Sequence, residues 1–467
     1  MIAREALSAA NRFGLGARPG TLSRMGDPRA WLHAQLASPV RPVDSGLPSS
    51  TEYLQQEYDY LRLRREARRT SSQENAAMGF RERFAQGQLR ELGWRYRQAV
   101  ATEQDFVERL VRFWSNHFAV SADKRTAALH AAPMEREAIR PHALGDFADL
   151  LLAVERHPAM LRYLDNVRSV GEGSRQAQRQ RRRTEGTGDA SPRRAGLNEN
   201  LAREILELHT VGVDGGYSQD DVRELARAIT GWSIAAPRDA GATTSDAFRF
   251  RANAHEAGAR VVLGRRYPAD GEAQGRAILR DLASHPSTAR HVCGKLARHF
   301  VSDTPPPALV ERMFVAWQRH GGALRPVYAA LIDSADAWSP DARKLKTPDD
   351  FLVSALRSTD TQPGDRPRAL MGLLGRLGQP AFTPRSPAGF ADDAAAWSGA
   401  DAVWKRIQAA QSLAESATPV DPDPLRIATD VFGDRLDADT ALAVRRAESP
   451  REGLALLFAS PSFQWRT

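Results

Sequence analysis

A single cysteine, Cys293, occurs in the 467 residues. That excludes an internal disulfide framework, a CxxC redox pair and a multi-cysteine zinc site. Cys293 lies in "STARHVCGKLARHF", on the apolar face of a helical pattern, and is expected in the core. No apolar run approaches the roughly 18 residues of a membrane-spanning helix. The opening "MIAREALSAANRFG" has neither a basic n-region nor an apolar h-region, so no export signal and a cytoplasmic location are expected. The usual catalytic signatures are missing as well. "GLGARPG", residues 14–20, has one residue too many for GxGxxG and follows a helical stretch, "HEAGA" lacks the second histidine of HExxH, and neither GxSxG nor GxxxxGK[ST] occurs.

What is present is a soluble composition, 42% hydrophobic and 26% charged, with net charge +8. Most of that charge is local. In residues 168–196, "RSVGEGSRQAQRQRRRTEGTGDASPRRAG", eight arginines outweigh Glu172, Glu185 and Asp189 and supply +5, leaving about +3 elsewhere. Nucleic-acid binding is therefore not expected. The stretch is rich in Gly, Ser, Gln and Arg and lacks aromatics, so a disordered surface insertion is expected, suited to an acidic partner if to any.

Apolar residues recur at helical spacing almost throughout. Helices are expected at 51–69, 74–99, 102–118, twice within 133–157, and at 272–284, 287–301, 307–320, 323–334 and 349–360. Four more are expected near 399–415, 421–431, 436–447 and 451–460. In "TEQDFVERLVRFWSNHF", Thr102 and Asp105 fit a capping box, and Phe106, Val107, Leu110, Phe113, Trp114 and Phe118 form one apolar stripe. Only 248–267 alternates like strands, with a turn near Gly258. The expected fold is mainly α, a compact multi-helical domain over 1–467 with one small β-hairpin near 248–267.

The densest polar pattern is "NENLAREILELHTVGVDGGYSQDDVRELARAITGW", residues 198–232. Asn198 fits an N-cap and Gly212 a C′ glycine, and Ser218 with Asp221 caps a second helix. In a straight helix Leu201, Ala202, Ile205 and Leu208 share a face with Asn198 and His209. Asn200, Glu204 and Glu207 then lie opposite. His117 likewise falls inside the apolar stripe of 102–118. A buried imidazole with an unmatched nitrogen costs about 1–3 kcal/mol, so two of them imply a buried polar network. That network is either structural, closed by Asn116, Asn198 and carbonyls, or a site in which His117 and His209 act with a glutamate as acid and base or bind a divalent metal. His255, in "NAHEAG", would complete a metal set of His117, His209 and His255.

Seven stretches, "NRFGLGARPG", "RLVRFWSNHFAVS", "HPAMLRYLDN", the 198–232 segment, "HEAGARVVLG", "LARHFVSDTPP" and "SPAGFADDAAAW", resemble in order the bacterial domain-of-unknown-function 1800 family. The resemblance implies a single family domain in which the length of 168–196 is free to vary. It implies no activity. Members often carry an export signal and are encoded beside a second exported family, which implies a protein partner encoded nearby. Matching family positions are Trp114, Asn116, His117, Asn198, Glu199, Asn200, Arg203, Glu204, Glu207, His209, Trp232 and His255. Taken as one site, His117, His209, Glu204 and Glu207 would be catalytic, and Asn116, Asn198, Asn200, Arg203, Trp114 and Trp232 would hold substrate. An enzyme is expected where helices 102–118 and 198–212 meet. The alternative is an accessory or scaffold protein whose arginine-rich loop binds an acidic partner.

Overall fold

Helical periodicity translates directly into the computed structural model, which describes residues 2–38, 45–67, 73–185, 196–235, 247–364, 366–418 and 422–466. The expected helices appear as Ser50–Ala67, Gln73–Ala101, Asp105–His117, Phe147–Glu155, Glu272–Ser284, Pro286–Phe300, Pro307–Arg319, Leu324–Asp333 and Pro348–Ser358. Ala400–Ser416, Pro424–Phe432, Ala438–Arg445 and Pro450–Ala459 complete the series. The fold is mainly α. No helix among the described residues is long and apolar enough to cross a membrane.

Strand pairing differs from the expected hairpin. Phe248–Phe250 pairs antiparallel with Trp232–Ile234, and the hairpin proper joins Arg260–Val262 to Arg265–Tyr267. Its turn is Leu263-Gly264, with φ of 48° and 74°, not Gly258. Two successive positive φ values suit the right-handed twist of a short hairpin. Asp221 holds this turn by accepting the Leu263 N–H at 2.7 Å. A third pair, Lys344–Leu345 with Trp465–Arg466, returns the end of the chain to the interior.

The arginine-rich segment is also corrected in part. Arg175–Glu185 is an α-helix, while residues 186–195 lie outside the described residues. Its start is tied down by the Ala177 N–H to Ser174 Oγ at 3.2 Å and the Gln176 N–H to the Asn253 carbonyl at 2.9 Å. Ala177 packs with Val170 and Ala254 in a small apolar cluster. That anchorage offsets the entropy that composition alone left uncompensated.

Two apolar clusters make up most of the interior. One surrounds Phe106, Leu110, Trp114 and Trp317, and the other joins Tyr96, Phe351, Leu413 and Phe458. The helix Asp105–His117 runs between them, and its expected stripe is buried throughout. Its polar side is buried too. Asp105, Glu108, Arg109 and Arg112 are each less than a tenth exposed. Thr102 therefore does not cap through Asp105. Its hydroxyl accepts the Gln104 N–H, and the Asp105 carboxylate meets Arg357 at 3.0 Å. Arg109 reaches Asp350 at 2.9 Å, Arg112 pairs with Asp349, and Arg140 chelates Glu108 with both terminal nitrogens, the longer contact at 3.0 Å.

Removing one member of such a pair leaves an uncompensated buried charge. Asp350→Asn, which strands Arg109 and Arg466, should lower unfolding stability by about 3–5 kcal/mol. The urea midpoint measures this, and a loss below about 1 kcal/mol would show that the pair is not desolvated as described.

Candidate functional site

Asn198 opens the first helix of the 198–232 segment, accepting the Asn200 N–H at 2.9 Å and donating to the Leu164 carbonyl at 3.2 Å. The helix is not straight. Asn200–Glu204 is α-helical, and Ile205–His209 widens into a π turn, closed by Thr210 Oγ1 on the Ile205 carbonyl and the Gly212 N–H on the Leu206 carbonyl. Gly212, at φ 87°, ends it as expected. In a π turn residues five apart stack, so Glu204 and His209, far apart around an ideal helix, are brought to the same side. Burial raises the Glu204 pKa, against the opposing pull of His209.

His209 is wholly buried with Glu155, Nδ1 to Oε1 at 2.8 Å, close but not aligned as a hydrogen bond. Sequence reasoning missed Glu155. The signal was its place at the end of "DLLLAVE", one turn after Leu151 and Leu152 on the buried face. His117 meets His209 as expected: their ring centroids are 6.2 Å apart, and His117 Nε2 donates to the His209 carbonyl at 3.2 Å. A carbonyl can only accept, so the proton sits on Nε2. Nδ1 keeps a lone pair and has no hydrogen-bond partner among the described residues.

Beside His117 opens a cavity of about 370 Å³, bordered by Phe113, Lys295, His299, Phe390 and Asp392. His291, Lys295 and His299 recur every fourth residue along Pro286–Phe300 and so share one side of that helix. Three of the family-like stretches meet here: "WSNH", "ARHFVSD" and "PAGFADD". His299 Nδ1 donates to Asp392 Oδ2 at 3.1 Å, which leaves Nε2 as the basic nitrogen, again without a partner. Burial would raise the Asp392 pKa, but His299 and Lys344 outweigh it and hold the carboxylate below its usual range. Burial pushes the pKa of His117 and His299 down, with Lys295 adding to the effect at His117 and Asp392 opposing it at His299. Both imidazoles are therefore neutral near pH 7. Burial also lowers Lys295 to about 8, against Asp392 and with the help of Arg298.

Asn116 shapes this cavity without offering it a free polar atom. Its amide donates to the Phe390 carbonyl at 2.9 Å and accepts the Phe390 N–H at 2.8 Å. Gly389, at φ 83°, packs so closely that an added Cβ would lie 2.4 Å from the Asn116 carbonyl oxygen. Trp114 is buried, and its indole N–H donates to Tyr328 Oη at 2.7 Å. The other substrate candidates lie elsewhere. Asn198, Asn200 and Trp232 border a second cavity of about 820 Å³ with Ser233 and Arg251. Arg203 is engaged by Glu199 at 3.2 Å and Gln219 at 2.9 Å, and Glu207 lies beside Tyr217. His255 Nδ1 donates to the Thr230 carbonyl at 3.0 Å. The structure thus does not gather His117, His209 and His255, and among the described residues no three His, Cys, Asp or Glu side chains are placed to share a metal ion.

Several neutral buried imidazoles make stability depend on pH. Burial lowers His117, His130, His291 (to about 4) and His299. Below the ordinary value of about 6.5 the unfolded chain binds protons that the folded one refuses, so stability present at pH 7 is lost as pH falls toward 4. Each imidazole should contribute up to about 1.4 kcal/mol per pH unit in that window. Urea midpoints at pH 7 and 5 should fall clearly, and equal midpoints would contradict the buried neutral state.

A family described as "Protein of unknown function (DUF1800)" matches residues 8–465. No curated protein and no solved structure matches the chain.

Proposed function

The chain belongs to the DUF1800 family, whose description assigns no activity, and from the cavity beside His117 we propose an enzyme that moves protons on a small substrate. One observation carries this. Two imidazoles border the same cavity, and each has one nitrogen bound in a way that fixes its proton while the other nitrogen has no hydrogen-bond partner among the described residues. His209 and His130 also keep unmatched ring nitrogens, but of these four imidazoles only His117 and His299 border the cavity, where a substrate could meet the nitrogen left over. Asp392 orients His299 as a general base, the arrangement by which a carboxylate selects the imidazole tautomer. His117 stands behind it as a second proton acceptor. Phe113, stacked on His117 at 6.1 Å and 5.3 Å from His299, supplies an apolar wall between the two bases. His209 and Glu155 support the site from behind through the carbonyl that fixes His117. The acid–base role thus stays with His117 and gains His299, whereas Glu204 and Glu207 lie outside this cavity's lining.

A second reading rests on a different surface. Arg175, Arg179, Arg181 and Arg182 are exposed on the helix Arg175–Glu185, and such a face suits an acidic protein partner. Replacing Arg181 and Arg182 with glutamate should then abolish a salt-sensitive association with that partner while leaving the cavity's chemistry intact.

Proton transfer can be read without knowing the substrate. Pools of small aldehydes, ketones, hydroxy acids and amides incubated in deuterium oxide should gain carbon-bound deuterium in the presence of the protein. His299→Gln should slow that exchange by about 10²-fold or more. Equal exchange in the folded variant, or none with any class in the wild type, would overturn the proposal.

A further inference from the structure

We infer that Lys295 is the nucleophile of this cavity and captures an aldehyde or ketone as an imine. The inference rests on the proton-transfer function proposed above and names its substrate class.

The chain has five lysines, Lys124, Lys295, Lys344, Lys346 and Lys405, against sixty arginines. Wherever a permanent positive charge suffices, this sequence overwhelmingly uses arginine, whose guanidinium does not release its proton. Four of the lysines are held. Lys124 bonds the Tyr163 carbonyl and Asp165 at 2.6 Å, Lys344 meets Asp303 at 2.6 Å, Lys346 donates to Ser354 at 3.0 Å, and Lys405 pairs with Asp401 at 2.6 Å. Lys295 has no hydrogen bond or ion pair among the described residues, yet it borders the cavity of about 370 Å³. It is also mostly covered. A largely desolvated, unpaired ammonium is an unfavourable state, and shedding the proton relieves it.

The groups facing Lys295 support this. From its own helix come His291, Arg298 and His299, from the turn after it Asp303, from the central helix His117, and from the 388–393 loop Asp392 and Asp393. Asp392 favours the charged amine, but burial and Arg298 prevail and bring it to about 8. At pH 7 roughly a tenth of such an amine is neutral, against less than one part in a thousand for an ordinary lysine near 10.4.

The step balances with groups already in place. Neutral Nζ adds to the carbonyl carbon, a C–N bond forms, and the carbonyl π pair moves to oxygen, which takes up a proton. The carbinolamine then loses that oxygen as water after a second protonation, while Nζ gives up its protons to the neighbouring imidazoles and a C=N bond forms. The net change is amine plus carbonyl to imine plus water, with no oxidant or reductant. Reprotonated at nitrogen by an imidazolium so formed, the imine acidifies the adjacent C–H, whose electron pair can then move onto nitrogen as an enamine, and a neutral His299 is suited to remove that proton.

The experiment is reductive trapping on the full-length protein with acetone or pyruvate and cyanoborohydride, followed by peptide mapping of all five lysines. Lys295 should be labelled at least about tenfold faster than Lys124, Lys344 or Lys405, and faster than Lys346, which burial brings to about 7 but which is 3% exposed and does not border the cavity, with a rate that rises through pH 8. Lys295→Met, which keeps the length of the side chain without its charge, should lose the label while its urea midpoint stays at or above that of the wild type. Label spread evenly, or concentrated on Lys346, overturns the inference. Deuterium exchange reads the imidazole and trapping reads the amine. Exchange without trapping at Lys295 therefore rejects the imine alone, and trapping without exchange rejects the proton-transfer function.

Discussion

Arginine–carboxylate contacts that water does not reach set the register of the whole structure. The helix Asp105–His117 carries Asp105, Arg109 and Arg112 into register with Arg357, Asp350 and Asp349 of Pro348–Ser358, joining the two apolar clusters. Buried pairs of this kind add little net stability over apolar packing, since desolvation offsets most of the attraction. What they contribute is uniqueness. Burial pulls Arg109 down to about 10 even with Asp350 beside it, so a helix shifted by one residue would leave bare charges where partners now sit. The end of that helix is His117, and the pairs therefore fix where the cavity's first imidazole stands.

The other cavity groups are placed by equally specific means. His299 and Lys295 ride on Pro286–Phe300, whose inner face, with Val292, Cys293, Leu296 and Phe300, is fully buried. The helix cannot rotate without exposing that face. Asp392 comes from an irregular loop, and its backbone carbonyl is bound by the buried Lys344, which also meets Asp303. Rigid helices thus carry the imidazoles and the amine, and a clamped loop carries the carboxylate hydrogen-bonded to one of them.

Much of the fold was legible from periodicity, because a stripe such as Phe106–Leu110–Phe113–Trp114 has few other solutions. Cys293 in the core and the Ser218–Asp221 capping box come from the same local rules. What local rules could not supply was partnership. Asp105, Arg109 and Arg112 find their partners only when residues some 240 positions later are brought alongside, and Glu108 meets Arg140 on another helix. The hairpin failed for a similar reason, since Trp232–Ile234 claims Phe248–Phe250 from outside the local window. Of the site, His117 and its meeting with His209 were legible from their places within apolar stripes. Lys295, His299 and Asp392 were missed although the four-residue spacing of His291, Lys295 and His299 was there to be seen. The straight-helix assumption at 198–212 hid the approach of Glu204 to His209, because a π turn has no clear sequence signature.

The clasp between Asn116 and Phe390 behaves as one rung of a β-ladder supplied by a side chain, donor and acceptor together. Gly389 lets the backbone come near enough for that rung to form. The Pro/Gly-rich connector before Gly389 has its own anchor, the Phe382 carbonyl, which accepts the Ala122 N–H at 2.7 Å. The two-residue interval from Phe390 to Asp392 is thus a fixed length measured from the helix that bears His117.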